Sequence, residues 1–211
     1  MGIIEKLQKK LEGGKFRLLN EKLYKNRGLT EKEALDYHKY YESQVKKWPC
    51  DPKKTIINKI KKCGQDNLKI ADLGCGSCGI AENFKNVSSF DKYPINDKVV
   101  KCELREIPVE DKQFDVAVCC LSLMMTNIAR VLRETNRILK VGGVFYMSEV
   151  ASRVKNMKKF INSVEKLGFK VQDVDKTSTY FFILKFEKIS DVSTENKLPV
   201  VALSAWTYKK R

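Results

Sequence analysis

Residues 71–79 read Ala71-Asp-Leu-Gly-Cys-Gly-Ser-Cys-Gly79, and the context of this stretch decides the fold class. It follows Leu68-Lys-Ile-Ala-Asp72, which has the length and composition of a buried strand, and Ile80 to Phe84 is expected to continue it as a helix. Gly74 and Gly76 permit turn geometries closed to larger residues and let a ligand approach the backbone closely. The D-x-G-x-G spacing is shorter than the G-x-G-x-x-G pattern, in which the third glycine helps seat a diphosphate. A ligand without a diphosphate is indicated.

Outward from this loop, strands and helices alternate. Val87 to Phe90, Lys98 to Cys102 and Val144 to Val150 read as strands, and Phe114 to Leu121 is a continuous apolar run suited to a strand covered on both faces. Asn127 to Lys140 reads as an amphipathic helix ended by Gly142-Gly143, and Asn156 to Leu167 as one closed by Gly168. Lys170 to Val174 and Tyr180 to Glu187 form a closing hairpin, and Val200 to Trp206 is expected to pack as an edge strand. The pattern predicts an α/β fold with a doubly wound, mostly parallel seven-stranded sheet and one antiparallel strand inserted near its edge. By analogy of fold, that insertion separates methyltransferase sheets from dinucleotide-binding ones.

Ahead of the loop the chain reads as helices. Ile3, Ile4, Leu7 and Leu11 share a face, as do Phe16, Leu19, Leu23 and Tyr24. Thr30 with Glu33 is a capping box opening a helix to about Lys47, stopped by Trp48-Pro49. Asp51-Pro52 starts another helix, with Ile56, Ile57 and Ile60 as its apolar stripe. Residues 1–66 are therefore expected to be a basic helical extension covering the ligand site, and residues 67–211 the core.

Asp91 stands nineteen residues beyond Asp72, at the end of the next strand, where a carboxylate can accept hydrogen bonds from both hydroxyls of a ribose. Asp72 can take an amino group or a water. Cys102-Glu-Leu104 and Asp115-Val-Ala-Val-Cys-Cys120 end the following strands, and ligands sit at the carboxyl ends of strands in open α/β sheets. Together these groups suit S-adenosylmethionine, with S-adenosylhomocysteine as product. Cys75-Gly-Ser-Cys78 also reads as a redox or zinc motif. Zinc needs four ligands, and no second C-x-x-C or suitable His pair exists, so no metal is expected. A thioredoxin-like site would explain neither the glycines nor Asp91.

The chain carries 41 basic and 26 acidic residues, a net charge of +15, unevenly spread. Residues 1–69 hold 18 basic against 9 acidic groups, residues 70–150 hold 10 against 11, and residues 151–211 hold 13 against 6. A near-neutral middle between basic ends suits a small-ligand site framed by surfaces for a polyanion such as RNA. The alternative is solvated helix faces. Hydrophobic residues make up 43%, enough for a proper core, and no apolar run approaches a membrane span. The start, MGIIEKLQKK, lacks a signal-peptide pattern, so an intracellular protein is expected, with its seven cysteines reduced.

Gly13-Gly-Lys-Phe-Arg17, Leu19-Asn-Glu-Lys-Leu-Tyr24, Tyr37-His38, Ser43-Gln-Val-Lys-Lys-Trp-Pro49 with Pro52, Val116-Ala-Val118, Cys120-Leu-Ser-Leu-Met124 and Thr126-Asn-Ile128 together resemble the ribosomal RNA-processing protein 8 (nucleomethylin) family. Glu149-Val150 with Ser152-Arg153, Leu167-Gly-Phe-Lys170, Phe181-Phe182 and Tyr208-Lys-Lys-Arg211 continue the match over nearly the whole chain. The resemblance implies a class I methyltransferase of Rossmann-like fold that methylates N1 of an adenine in large-subunit ribosomal RNA. It places the protein in the nucleolus, with the pre-ribosome as partner, acting as a monomer. Carried over by position, it implies cofactor contacts at His38, Gly74, Asp91, Glu103, Leu104 and Cys120. His38 is the only histidine. Glu103 stands where the family pattern usually has Asp, and Met125 where it has Gly beside the target base.

N1 of adenine has an in-plane lone pair that can attack a sulfonium methyl without a strong base, so no catalytic base is assigned. The target base must leave its stack or lie in a single strand, and Cys120 to Asn127 is expected to form its pocket. The competing functions are a methyltransferase acting on protein or small molecules, and a cofactor-binding scaffold in ribosome assembly or chromatin silencing.

Overall fold

Apolar residues that alternate along the strands and recur at helical spacing in the helices sort this chain onto two faces of one sheet. The computed structural model describes residues 3–25, 27–64, 67–193 and 197–205, with side chains from Leu11 onward. The elements are α1 (Ile3–Tyr24), α2 (Glu31–Val45), α3 (Pro52–Lys61), β1 (Ile70–Leu73), β2 (Val87–Asp91), β3 (Val99–Lys101), β4 (Phe114–Cys120), α4 (Ala129–Ile138), β5 (Leu139–Val150), α5 (Met157–Glu165), β6 (Phe169–Asp175) and β7 (Phe181–Lys188). The sheet order is β3-β2-β1-β4-β5-β7-β6. Strands β1 to β5 pair in parallel, and β7 runs antiparallel between β5 and β6. This is the inserted edge strand expected from the hairpin pattern.

Period-two alternation assigns the faces. Val116 and Val118 of β4, Tyr146 of β5 and Ile183 of β7 pack with Ile56, Ile57 and Ile60 of α3. Ala117, Cys119, Phe145, Met147, Phe182 and Leu184 point the other way, onto Val131 and Leu132 of α4 and Phe160 and Val164 of α5. A third, smaller cluster joins Phe16 of α1 to Tyr37 and Tyr40 of α2, with Met124 against it. The Thr30–Glu33 capping box forms as expected, and Glu33 also pairs with Lys22 at 2.7 Å, tying α2 to α1. Asp51 caps α3 through its side chain, with Pro52 at the first helical position.

Three local expectations are corrected. Residues 80–84 form turns rather than a helix. Only thirteen residues (74–86) join β1 to the parallel β2, and Cys78 takes a left-handed φ of 58° within them. That is close to the shortest crossover that holds a helix, and the glycine loop uses half of it. Helix α4 ends at Ile138, earlier than the glycines suggested, because Leu139 is already extended and pairs with Phe114. Gly142 and Gly143 lie inside β5, where residues 140–143 bulge between the Phe114–Leu139 and Val116–Val144 pairs. A side chain at Gly143 would meet the carbonyls of Lys140 and Asp115 at 2.8 and 3.1 Å. Among the described residues, 197–205 join no strand of the sheet. They make one bridge, Asn127 to Ala202, and bury Val201 and Leu203 beneath it. Trp206, the Tyr208–Arg211 tail and the side chains of Ile3, Ile4 and Leu7 lie outside the described residues.

Candidate functional site

Strands β3, β2, β1 and β4 are neighbours, so their carboxyl ends form one continuous rim, and the loops leaving them enclose a cavity of about 350 Å³. Asp72 and Gly74 come from β1 and its turn, Gly76 from the same loop, Asp91 from β2, Glu103 and Leu104 from beyond β3, and Cys120 from the last position of β4. His38 reaches the cavity from α2. All eight residues singled out in the sequence line this one space.

The loop is held by backbone and carboxylate together. Gly74 N and Cys75 N donate to Phe90 O at 2.8 and 3.1 Å. Gly76 N donates to Asp91 Oδ2 at 3.0 Å, and Tyr93 N to Asp91 Oδ1 at 2.9 Å. Asp91 therefore organises the loop on one side and its own turn on the other. Asp91 also lines the cavity, and each of its carboxylate oxygens can accept a further hydrogen bond. His38 Nε2 lies 3.1 Å from Tyr93 O; a carbonyl can only accept, so that nitrogen carries the proton. The Tyr93 hydroxyl accepts from Leu29 N at 2.8 Å, which fixes the start of α2 over the same turn. Sequence pattern alone did not single out Tyr93 as this hinge.

Asp72 is the most unusual group electrostatically. It is 3% exposed, and its Oδ2 is buried with no hydrogen-bond partner among the described residues. Burial pushes its pKa up from 3.8 to about 7, the Asp91 charge adds to the rise, and Lys53 opposes it. A lone buried carboxylate oxygen facing a cavity suits a donor carried by a ligand, such as an amino group. Lys53, which the sequence reading did not single out, lines the same cavity with its Nζ 3.5 Å from Ser77 Oγ. Glu103 sits at the mouth, paired with Lys92 at 2.6 Å and more loosely with Arg105 at 3.6 Å, while Leu104 is buried.

Gly74 has a packing role beside the turn geometry expected of it. A side chain there would collide with the Cβ of Ser122, a residue that sequence spacing did not flag. Ser122 Oγ donates to Leu73 O at 2.6 Å and so ties the loop after β4 to the end of β1. At φ 76°, Gly74 serves both a left-handed turn and this close approach. Gly74→Ala is expected to cost about 1–3 kcal/mol in chemical denaturation, from strain and displacement of Ser122. An unchanged midpoint would mean that the two loops have room to part.

The Cys75 and Cys78 sulfurs lie 3.7 Å apart. Burial, with Asp72 and Asp91 nearby, pushes the Cys75 thiol well above its ordinary range. A reactive or metal-binding cysteine needs the opposite environment. The cavity chemistry thus points to hydrogen bonding of a polar, nucleoside-like ligand.

A family model described as "Hypothetical methyltransferase" matches residues 2–211. The chain is 38% identical to the mouse protein "Ribosomal RNA-processing protein 8", over 98% of this chain and 47% of that one. It is 36% identical to the Schizosaccharomyces pombe "25S rRNA (adenine(645)-N(1))-methyltransferase", over 98% of this chain and 72% of that one. Among solved structures, a TehB-like S-adenosylmethionine-dependent methyltransferase from Corynebacterium glutamicum superimposes with a TM-score of 0.56 at 16% identity, over 75% of this chain and all of that one. That likeness is one of fold. The chain spans about half the length of the mouse and rat relatives it matches, 47% of each.

Proposed function

This chain belongs to the ribosomal RNA-processing protein 8 family, and from that membership we propose that it transfers a methyl group from S-adenosylmethionine to N1 of an adenine in large-subunit ribosomal RNA. The observation that carries the cofactor half is the convergence of Asp72, Asp91, Glu103 and Leu104 from three adjacent strand ends on one cavity, with an Asp72 oxygen lacking a partner. The name of the yeast relative supports the adenine half.

In this reading Asp91 accepts the ribose hydroxyls and Asp72 takes the amino group. Glu103 accepts from the adenine amino group of the cofactor, and Leu104 packs against its ring. His38, Gly74, Gly76 and Cys120 complete the walls. The cofactor supplies an electrophilic methyl on a sulfonium. The protein's task is then to bring the target N1 into line and exclude water, because that nitrogen already has a free lone pair. No residue is needed as a base. Residues 1–66 act as the cover over residues 67–211, and their excess of basic groups (17 against 9 acidic) faces phosphates of ribosomal RNA or the pre-ribosome. The site of action is the nucleolus, and the acting unit is a monomer. Among the described residues no helix is long and apolar enough to cross a membrane.

Incubation with labelled cofactor and either large-subunit rRNA transcripts or histones tests this, followed by nucleoside analysis. N1-methyladenosine in the RNA is the expected product. Label in histones alone, or in no acceptor while cofactor binds, would overturn it.

Asp72 makes binding pH-dependent. An ammonium group favours ionised Asp72, whose pKa in the free protein is about 7. Affinity for S-adenosylhomocysteine is expected to be about 10-fold weaker at pH 6 than at pH 8, and Asp72→Asn to flatten that profile. The sign for stability is opposite. A folded-state pKa above 3.8 means that neutral Asp72 stabilises the free protein fully below about pH 4. That contribution, on the order of 4 kcal/mol, is lost as the pH rises through 7. Calorimetric titrations across this range check both.

A further inference from the structure

The loop after β4 closes the cofactor cavity on one side, and its backbone is pinned from two directions. The carbonyls of Leu123 and Met125 accept from Arg153 at 2.8 Å each, and that of Thr126 accepts from Leu203 N at 2.8 Å. Ile128 N donates to Val201 O at 3.1 Å, and Asn127 bridges to Ala202. Ser122 Oγ is spent on Leu73 O. Asn127 differs from these neighbours. It lines the cavity and is exposed at its mouth.

One bond fixes the orientation of its amide. Asn127 Oδ1 accepts from Ala129 N at 3.1 Å, and a backbone N–H can only donate, so the oxygen faces α4. The Nδ2 group faces the other way and has no hydrogen-bond partner among the described residues. Oδ1 keeps a second lone pair. Asn127 therefore presents a donor beside an acceptor, in a set order, on a rigid loop. The Thr126 hydroxyl next to it rotates and carries no such order.

The place of this edge selects what it meets. In the proposed placing, the cofactor runs from Glu103 beyond β3, past Asp91 on β2, to Asp72 on β1. Strand β4 is the next in the sheet, so the loop leaving it borders the sulfonium end, where the acceptor must arrive. An aromatic chamber of about 230 Å³, lined by Trp48 and Phe181, shares Leu121 and Met124 with the cofactor cavity. The methyl group and its acceptor need one continuous space, however, and Asp72 and Asn127 line the same one.

A donor beside an acceptor is the complement of one edge of adenine. An asparagine pairs with the N7 acceptor and the N6 donor of that base through two parallel bonds. Guanine shows acceptors at both places, N7 and O6, and would set O6 against Oδ1. The amide cannot turn over to suit guanine without giving up its bond to Ala129 N. A grip on the N6–N7 edge also leaves N1 uncovered, on the far side of the amino group, with its lone pair free.

We infer that Asn127 is the specificity-determining residue for the acceptor: it binds the N6–N7 edge of the target adenine, rejects guanine and leaves N1 facing the methyl group. The inference rests on the methyltransferase reading and supplies the residue and the base edge that the reading leaves unassigned.

The test uses the full chain with S-adenosylhomocysteine present and a short fluorescent oligouridine carrying one central adenosine. Its twins carry 7-deazaadenosine, which lacks the N7 acceptor, 3-deazaadenosine, which keeps it, or guanosine. Anisotropy gives the affinities, so the readout does not depend on methyl transfer. The wild type should bind the adenosine and 3-deazaadenosine RNAs alike, and the other two at least about 5-fold more weakly. Asn127→Asp keeps an oxygen for Ala129 N and exchanges the donor for a second acceptor. It should erase the advantage of adenosine over 7-deazaadenosine, while S-adenosylhomocysteine affinity stays within about 2-fold and the thermal midpoint holds. Should the midpoint fall, the deaza comparison on the wild type decides, since it needs no variant. Equal wild-type affinity for the adenosine and 7-deazaadenosine RNAs would overturn the inference, as would a folded variant that keeps the discrimination. A folded variant that loses cofactor affinity places Asn127 on the cofactor and overturns it too. If the adenosine preference holds but no rRNA adenine is methylated, the methyltransferase reading fails and the base site stands. If N1-methyladenosine forms while the 7-deazaadenosine RNA binds as well as its parent, Asn127 loses its role and the reading stands.

Discussion

Asp91→Ala is expected to weaken S-adenosylhomocysteine binding by on the order of 100-fold or more, the largest loss from any single side chain of the cofactor cavity. Two hydrogen bonds to a charged acceptor contribute about 3 kcal/mol at least, which converts to that factor. The substitution also releases Gly76 N and Tyr93 N, whose bonds of 3.0 and 2.9 Å to the two carboxylate oxygens shape the loop and the turn facing it. Asp91→Asn keeps one acceptor oxygen and should fall between wild type and alanine. Calorimetric titration measures both, with thermal midpoints recorded to show that the fold persists. A change below about 3-fold for the alanine variant would remove Asp91 from the site.

Arg153→Met should destabilise the fold by about 3–5 kcal/mol, lowering the thermal midpoint by roughly 10 °C. Arg153 is 1% exposed, three residues beyond the end of β5, and its guanidinium serves several segments at once. It donates to Leu123 O and Met125 O at 2.8 Å each and to Ser204 O at 2.9 Å, and it pairs with Glu149 at 2.7 Å. The Tyr24 ring lies 4.7 Å beneath it. Its removal strands three carbonyls and leaves the fully buried Glu149 carboxylate without its cation. Glu149 is already disfavoured as an anion: burial raises its pKa, with Arg153 holding it down. Adding Glu149→Gln to Arg153→Met should therefore recover part of the loss, because the uncompensated charge disappears. Denaturation of the single and double variants measures this, and a single-variant loss under about 1 kcal/mol would refute the account. The consequence reaches the site. Leu123 and Met125 belong to the loop walling both cavities, Tyr24 to α1 and Ser204 to the segment laid over that loop. One buried cation sets their relative positions.

Local chemistry made much of this legible in advance. The capping box at Thr30, the proline start of α3, the hairpin of β6 and β7 and the alternating cores of β4 and β5 depend on neighbours in sequence. So does the placing of Asp72 and Asp91 at strand ends. The exceptions have a common origin. Gly142 and Gly143 have the composition of a helix cap and act as a bulge because β4 competes for the chain. The residues after Gly79 have helical composition and form turns because β2 must be reached within thirteen residues.

The amino-acid sequence by itself determined the order and type of most elements, the carboxylates at the strand ends and the family, since periodicity, capping and motif spacing are written locally. Only the tertiary structure decided which side chains share a cavity, that Gly74 yields to Ser122, that Arg153 is buried beside Glu149, and that an aromatic chamber adjoins the cofactor site. Those outcomes depend on pairs far apart in the chain, such as Trp48 with Phe181 and Arg153 with Leu123, and strand order alone brings them within reach.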